Sequence, residues 1–173
     1  MTNPIRSALL GAIGITASLL AGCSGNADVR DMMPAQAVAS HRTGQPVQAA
    51  VINGTARDGV LPNIENEDFR EALERSLVRS GKFSEVGGGG FRVEAFITSI
   101  HPERVDDKLR VTLEVRYALR RRTLVVWRKS IRSSCEVPIY EMHSDEIRVR
   151  DATKGAAREN IAMLVRLLDK QRF

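Results

Sequence analysis

Residues 109–119, with the sequence LRVTLEVRYAL, alternate between large apolar side chains and mostly polar ones. A period of two is typical of a β-strand with one face on a core and the other face in water. The apolar face comprises Leu109, Val111, Leu113, Val115, Tyr117 and Leu119. The other face comprises Arg110, Thr112, Glu114, Arg116 and Ala118. This segment therefore predicts a sheet that is covered on one side only.

The neighbouring segments predict the rest of the sheet. Residues 91–100 alternate in the same way, and residues 120–122 predict a turn into a returning strand over 124–136. Further upstream, residues 47–52 predict a short strand that is closed by the turn signal Asn53-Gly54. The chain thus predicts four strands.

Two segments predict helices that cover the sheet. Asn66 is a suitable N-cap for a helix over 67–80, in which apolar side chains recur at helical spacing. A second helix begins at Ser144 or at Asp151 and ends near Lys170, and Gly155 within it weakens the helix or marks its start. The order β-α-β-β-β-α predicts an α+β two-layer sandwich: a mainly antiparallel four-stranded sheet with two helices on one face.

Residues 1–22 have the layout of an export signal. A single charge, Arg6, precedes an apolar stretch over 8–21. That stretch is shorter than the run of about 20 apolar residues that a helix needs to cross a bilayer. The segment therefore predicts a signal peptide that is removed after export.

The end of this signal carries a more specific motif, Leu20-Ala21-Gly22-Cys23. It resembles the lipobox of bacterial lipoproteins. The resemblance implies that Cys23 becomes the first residue of the mature protein, with a diacylglyceryl group on its sulfur and an acyl chain such as palmitate on its amine. Several acyl chains would hold the protein on a membrane. Ser24, rather than Asp, implies sorting to the outer membrane with the domain in the periplasm, and the inner membrane is the alternative.

Composition bounds the size of the domain and the class of partner. Residues 23–45 predict a lipidated flexible tether, which leaves residues 46–173 for a single folded domain. The precursor has 26 basic and 21 acidic residues. Export argues against nucleic acid as a partner, so the basic excess is either a solvated surface or a site for anionic lipid.

Few residues are candidates for catalysis or metal binding. Beyond Cys23 the chain has one cysteine, Cys135. Three alternatives are open for it: a buried small residue, a route to a disulfide-linked dimer, or a reactive thiol. The histidines are His41 in the tether, His101 in a turn and His143, and only His143 is near Cys135 in sequence. The acidic clusters lack the spacing of a calcium loop. The sequence predicts no catalytic residue, no metal site and no cofactor.

Three segments carry a resemblance over the whole domain. They are NEDFREALERSLVRSGKF (66–83), LRVTLEVRYAL (109–119) and ARENIAMLVRLL (157–168). They resemble recurrent features of proteobacterial envelope lipoproteins, and the layout is similar to that of lipopolysaccharide-assembly and transport-auxiliary lipoproteins. The resemblance implies a non-enzymatic accessory in envelope transport or assembly that binds a protein or lipid partner.

The polar face of the sheet is the predicted partner surface. Arg92, Phe96, Arg110 and Arg116 project from it, and arginine and aromatic side chains favour interfaces. Three alternatives remain open. The face is merely solvated, or the chain is a structural lipoprotein that self-associates through a strand edge. The third alternative is an enzyme acting on envelope glycans or lipids, for which the sequence offers no constellation of polar groups.

Overall fold

The computed structural model describes residues 27–35, 39–53, 65–139 and 144–173. In chain order the elements are α1 (Ala27–Met32), β1 (Val47–Asn53), α2 (Asn66–Arg79), β2 (Phe91–Val105), β3 (Lys108–Arg121), β4 (Leu124–Pro138) and α3 (Asp145–Asp169). The predicted signal peptide over 1–22, the lipid-bearing Cys23 and His143 all lie outside the described residues.

The four strands form one mixed sheet in the order β1-β2-β3-β4. β1 and β2 are parallel, because α2 carries the chain back between them. β2, β3 and β4 follow one another through tight turns and are antiparallel. α2 packs on β1, α3 packs on β3 and β4, and the two helices contact each other on the same face. The predicted α+β fold is confirmed.

The core lies between this face and the helices, and the alternation of β3 reappears in its burial. The buried apolar side chains of β3 are Val111, Leu113, Val115, Tyr117 and Leu119. They meet fully buried side chains of the helices, which include Phe69, Leu73, Leu77, Ile161, Leu164 and Leu168. Each large apolar side chain buried in this way stabilises the fold by about 1.5–3 kcal/mol.

A buried polar network crosses this core. The hydroxyl of Tyr117 donates to Oδ1 of Asn160 at 2.8 Å. Nδ2 of Asn160 donates to the carbonyl of Ile131 and to Oγ of Ser133, both at 3.0 Å. The Ser133 hydroxyl donates in turn to the carbonyl of Ala156 at 2.8 Å. Burial raises the pKa of the Tyr117 phenol, so this group stays a neutral donor that joins β3 to α3.

β2 is longer than predicted. It includes His101, which the sequence places in a turn, and the following Pro102. The pairing with β3 continues through His101 opposite Thr112 and ends at Val105. A proline is tolerated here because the pairing of β1 with β2 stops at Ile97, so Pro102 replaces no ladder hydrogen bond on that side.

α3 begins at the earlier of its two predicted starts. Ser144 is the N-cap, and its side chain accepts a hydrogen bond from the amide of Ile147 at 3.4 Å. The helix continues through Gly155 without interruption. Gly155 is buried where α3 crosses Cys135 of β4, and this crossing leaves no room for a larger side chain.

The flexible tether predicted over 23–45 is wrong for the part that the structure describes. Within it, Ala27–Met32 form α1, and the side chains of Val29 and Met32 are buried in the core. Further on, the amide of Ala39 donates to the carbonyl of Ser80 at 2.6 Å, and the amide of Thr43 donates to that of Lys82 at 2.9 Å. These contacts make residues 27–35 and 39–45 part of the folded domain, which therefore does not start at residue 46.

Ion pairs fasten α1 to α3. Asp28, 5% exposed, pairs with Arg150 and with Nζ of Lys154, the latter at 2.8 Å, and Lys154 also reaches Asp31 at 3.0 Å. Burial pushes the pKa of Asp28 upward, but the hydrogen bonds from Lys154 and Arg150 outweigh it and hold the pKa below its ordinary value of 3.8.

We therefore expect Asp28→Asn to lower the free energy of unfolding by about 1.5 kcal/mol at neutral pH, because hydrogen bonds to a charged group are lost. A depressed pKa in the folded state means that this contribution is present above pH 3.8 and is lost as the pH falls below it. Urea denaturation of both proteins from pH 7 to pH 3 measures the difference. The exposed neighbour Asp31 supplies the control, since Asp31→Asn should cost much less. A difference that does not shrink in acid would contradict this explanation.

Candidate functional site

The four side chains predicted to bind a partner lie on the open face of the sheet, away from α2 and α3. Phe96 in β2 is directly opposite Arg116 in β3, and Arg92 is opposite Arg120. Arg110 lies near the other end of β3, opposite Glu103 and Glu136. Arg110 and Arg116 are six residues apart, which is about 20 Å along a strand. The four side chains share a face, but they do not form one cluster.

Ion pairs engage the arginines at both ends of this face. Nε of Arg110 donates to Glu136 at 2.8 Å, and Glu103 lies 3.4 Å from the same guanidinium. The hydrogen bond with Glu136 raises the pKa of Arg110 and lowers that of the Glu136 carboxyl. Arg92 lies 3.9 Å from Glu94. Among the described residues no ion pair involves Arg116, which is exposed beside the half-buried Phe96.

The two edges of the sheet differ, and the sequence pattern alone does not predict this difference. At the outer edge of β1, Val47 exchanges backbone hydrogen bonds with Glu85 and Gly87, both at 2.9 Å. Next to it, the amide of Ala49 donates to the buried carboxylate of Glu74 in α2 at 2.7 Å. Edge strands are commonly protected in this way against pairing with other chains. In the part of the chain that the structure describes, no strand or loop backbone pairs with the outer edge of β4.

An open groove of about 550 Å³ lies beside the middle of β4, between that edge and the last turns of α3. We call it the β4 groove, and its lining residues are Ser130, Ile131, Arg132, Met163, Arg166, Leu167, Asp169 and Lys170. Its apolar side chains are Ile131, Met163 and Leu167, and its basic ones are Arg132, Arg166 and Lys170. The groove thus combines apolar surface with a basic border.

The acids in and around the β4 groove are already engaged. The Asp169 carboxylate accepts hydrogen bonds from the amide and the hydroxyl of Ser40, at 2.6 and 3.0 Å. Glu159 pairs with Arg166 at 2.8 Å. Arg132 and Lys170 form no ion pair within the described ranges. The basic border therefore keeps two cations that an acidic ligand can reach.

A second cleft, of about 520 Å³, joins the β4 groove to the open face. It shares Arg132 and Met163 with the groove, and it reaches Arg110 and Thr112 on β3. One of the four predicted residues, Arg110, therefore borders a concave surface that wraps around the edge of β4. A sequence signal for this surface exists, because Met163 and Leu167 lie four residues apart on α3, beside the helix stripe that faces the core.

The remaining candidates for chemistry are separated in the fold. Cys135 is half-buried against Gly155, and burial raises the pKa of its thiol, which disfavours the reactive thiolate. His41 donates its backbone amide to Asp169 at 3.3 Å, and His101 is exposed on β2. Over the described ranges no three His, Cys, Asp or Glu side chains come together as a metal site. Within the same ranges no helix has both the length and the apolar character required to cross a bilayer.

Known structures share this fold at low sequence identity. A DUF330-family protein from Xanthomonas campestris is similar with a TM-score of 0.54 and 15% identity, over 77% of this chain and 87% of that one. A hypothetical protein from Chlamydia trachomatis is similar with a TM-score of 0.54 and 12% identity, over 72% and 96%. A minor lipoprotein from Acinetobacter baumannii has a TM-score of 0.46 and 6% identity, over 74% and 92%.

No family model matches the sequence. No curated protein matches it either. At 12–15% identity, the similarity to the Xanthomonas and Chlamydia proteins shows a common fold and nothing about an activity or a partner.

Proposed function

We propose that this chain is a lipid-anchored periplasmic lipoprotein of the bacterial envelope that serves as a non-enzymatic accessory in transport or assembly. The motif Leu20-Ala21-Gly22-Cys23 after an export signal supports the anchor, with lipid attached to Cys23. Ser24 supports the outer membrane, and the inner membrane is the alternative. The proposal includes no catalytic residue, no cofactor and no metal.

The observation that carries the accessory role is the open edge of β4 beside an apolar groove. An unpaired strand edge offers a row of N–H and C=O groups, and a strand from another chain can pair with them. We propose that an extended segment of a partner protein adds to β4 and places apolar side chains against Ile131, Met163 and Leu167. A lipid would fill the groove but would leave the edge hydrogen bonds unused, so a protein segment fits both features.

Charge refines the proposed partner. Arg132 and Lys170 favour acidic side chains in the segment that binds. The adjoining cleft extends the surface to Arg110, and from there the open face continues to Arg116 and Phe96. Arg92, Phe96, Arg110 and Arg116 thus remain the proposed outer part of the interface, with the β4 groove as its centre.

The same open edge favours one alternative, a structural lipoprotein that self-associates through β4. Two copies can pair their β4 strands about a two-fold axis, which is the common symmetry of protein dimers. Light scattering over a range of protein concentrations separates the two cases. A mass that doubles with concentration favours self-association, whereas a constant monomer mass leaves the edge free for a partner.

Photo-crosslinking in intact cells tests the proposed site. The full-length protein, tagged at its carboxyl terminus, carries a photoreactive amino acid at Ser130 in the β4 groove or at the exposed control position Arg79 in α2, on the helix-covered side of the sheet. We expect an adduct with a component of an envelope transport or assembly system from Ser130 only, in the outer membrane fraction. Met163→Glu should abolish this adduct, because a carboxylate would replace the apolar floor of the groove.

Three outcomes would overturn parts of this proposal. Equal adducts from Ser130 and Arg79, or an adduct that survives Met163→Glu in a folded protein, would exclude the β4 groove. Arg116→Glu provides the matched test of the open face, because the exposed Arg116 has no ion pair to break among the described residues. We expect it to weaken the adduct without unfolding the domain. An unchanged adduct would remove the open face from the interface.

A further inference from the structure

α1 fixes the position of the chain close to Cys23. Asp28 in its first turn is held by Arg150 and Lys154 of α3, and Asp31 is held by Lys154. The buried Val29 and Met32 hold the other side of the helix in the core. The start of α1 is therefore attached to the early turns of α3 and does not swing free of the domain.

Several other elements begin or turn at the same end of the molecule. The pKa of Arg150 is raised by its hydrogen bond with Asp28 first and, more weakly, by the charge of Asp68 in the first turn of α2. The amide of Ile139, just after β4, donates to the carbonyl of Asp107 in the turn between β2 and β3 at 2.8 Å. We call this end, with the starts of α1, α2 and α3 and the β2–β3 turn, the anchor end.

Covalent geometry limits how far the anchor end can lie from Cys23. Only Ser24, Gly25 and Asn26 separate Cys23 from Ala27. A fully extended chain advances at most about 3.6 Å per residue, so the start of α1 lies within about 14 Å of the lipidated residue. The twenty-residue reach expected of a flexible tether is absent, because α1 and the segment after it belong to the domain.

From these observations, and resting on the proposed lipid anchor at Cys23, we infer that the domain stands on the membrane with its anchor end against the lipid head groups. The exposed apolar side chain of Ile147 in the first turn of α3 then lies at the membrane surface. The strands run away from the membrane, and the turn between β3 and β4 is the distal tip. A 15-residue strand such as β2 spans about 50 Å.

This orientation sets the height at which a partner is held. Ile131 in the β4 groove is seven residues from Pro138, which lies near the anchor end. Seven strand residues correspond to about 23 Å. A partner segment in the β4 groove must therefore be presented roughly 20–25 Å above the lipid head groups.

Paramagnetic NMR on the full-length lipidated protein tests this orientation. The protein is purified from the envelope and placed in nanodiscs that contain Gd³⁺-chelating lipid. The probes are methyl groups of two exposed side chains, Ile147 at the anchor end and Leu124 at the distal tip, which are 46% and 68% exposed. We expect the Ile147 signal to be lost and the Leu124 signal to persist.

A linker variant provides the matched control. Insertion of about 15 Gly and Ser residues between Asn26 and Ala27 lengthens the mean reach of the linker by about 20 Å and leaves the domain unchanged, so the Ile147 signal should return in part.

Mass spectrometry of the same samples separates two ways in which the prediction can fail. If Cys23 carries no acyl group, the proposed anchor is refuted and the orientation falls with it. If Cys23 is acylated but both methyl groups lose equal signal, the anchor stands and the orientation is refuted.

Discussion

Asn160→Ala is expected to lower the free energy of unfolding by about 4 kcal/mol, because it removes three buried hydrogen bonds at once. Asn160 is fully buried and accepts from Tyr117 while donating to Ile131 and Ser133. The substitution leaves the Tyr117 hydroxyl without its acceptor, and a buried polar group without a partner costs about 1–3 kcal/mol. The lost side-chain volume adds the cost of a small cavity.

Urea denaturation followed by circular dichroism measures this effect, and Tyr117→Phe provides the matched comparison. Tyr117→Phe removes one hydrogen bond and keeps the ring, so its expected cost is about 1.5 kcal/mol. The double variant should cost less than the two single variants added together, because both lose the same contact. Additive costs would show that Tyr117 and Asn160 are not coupled. An Asn160→Ala variant as stable as the parent would show that the network does not stabilise the fold.

The elements that could be predicted from the sequence are those whose apolar residues recur at a regular spacing and face the core. In β3 every second residue from Val111 to Leu119 is buried, so the strand and its inner face follow directly from the alternation. α2 and α3 follow in the same way from helical spacing and capping residues. The buried Asn160 could not be recognised, because its partners Tyr117 and Ser133 come from two other elements.

α1 shows why the tether prediction failed. The helix has six residues, and among its described side chains only Val29 and Met32 turn apolar groups to the core. So short a helix is unstable by itself, and it depends on tertiary contacts. Its ion-pair partners Arg150 and Lys154 lie more than a hundred residues away in sequence, so local composition indicates a polar tether instead.

The candidate site could be predicted only in part, because it depends on strand order. The open face follows from alternation, and Arg92, Phe96, Arg110 and Arg116 do lie on it. Which strand has a free edge is decided by where the chain crosses over, and α2 places β1 beside β2 and leaves β4 outermost. Glu74 then protects the edge of β1, whereas the edge of β4 meets the β4 groove.

Gly155→Ala is expected to lower the free energy of unfolding by about 2 kcal/mol, although alanine is the better helix former. In an exposed helix the same change would stabilise the protein by about 1 kcal/mol. At Gly155, however, the added methyl group would lie 2.9 Å from Cβ of Cys135 and closer still to its Sγ. The effect on the free energy of unfolding therefore changes sign, because α3 must shift away from β4 or Cys135 must leave its position. Overpacking of this kind costs about 1–3 kcal/mol.

Cys135→Ala tests whether this contact is the cause. It removes the sulfur atom but keeps Cβ, so the Gly155→Ala/Cys135→Ala double variant should regain about half of the loss that Gly155→Ala causes, in the same denaturation measurement. A stabilising effect of Gly155→Ala alone would show that α3 and β4 are packed less closely than the structure indicates. A loss that Cys135→Ala does not relieve would place its cause in the remaining Cβ of residue 135 or in another contact of α3.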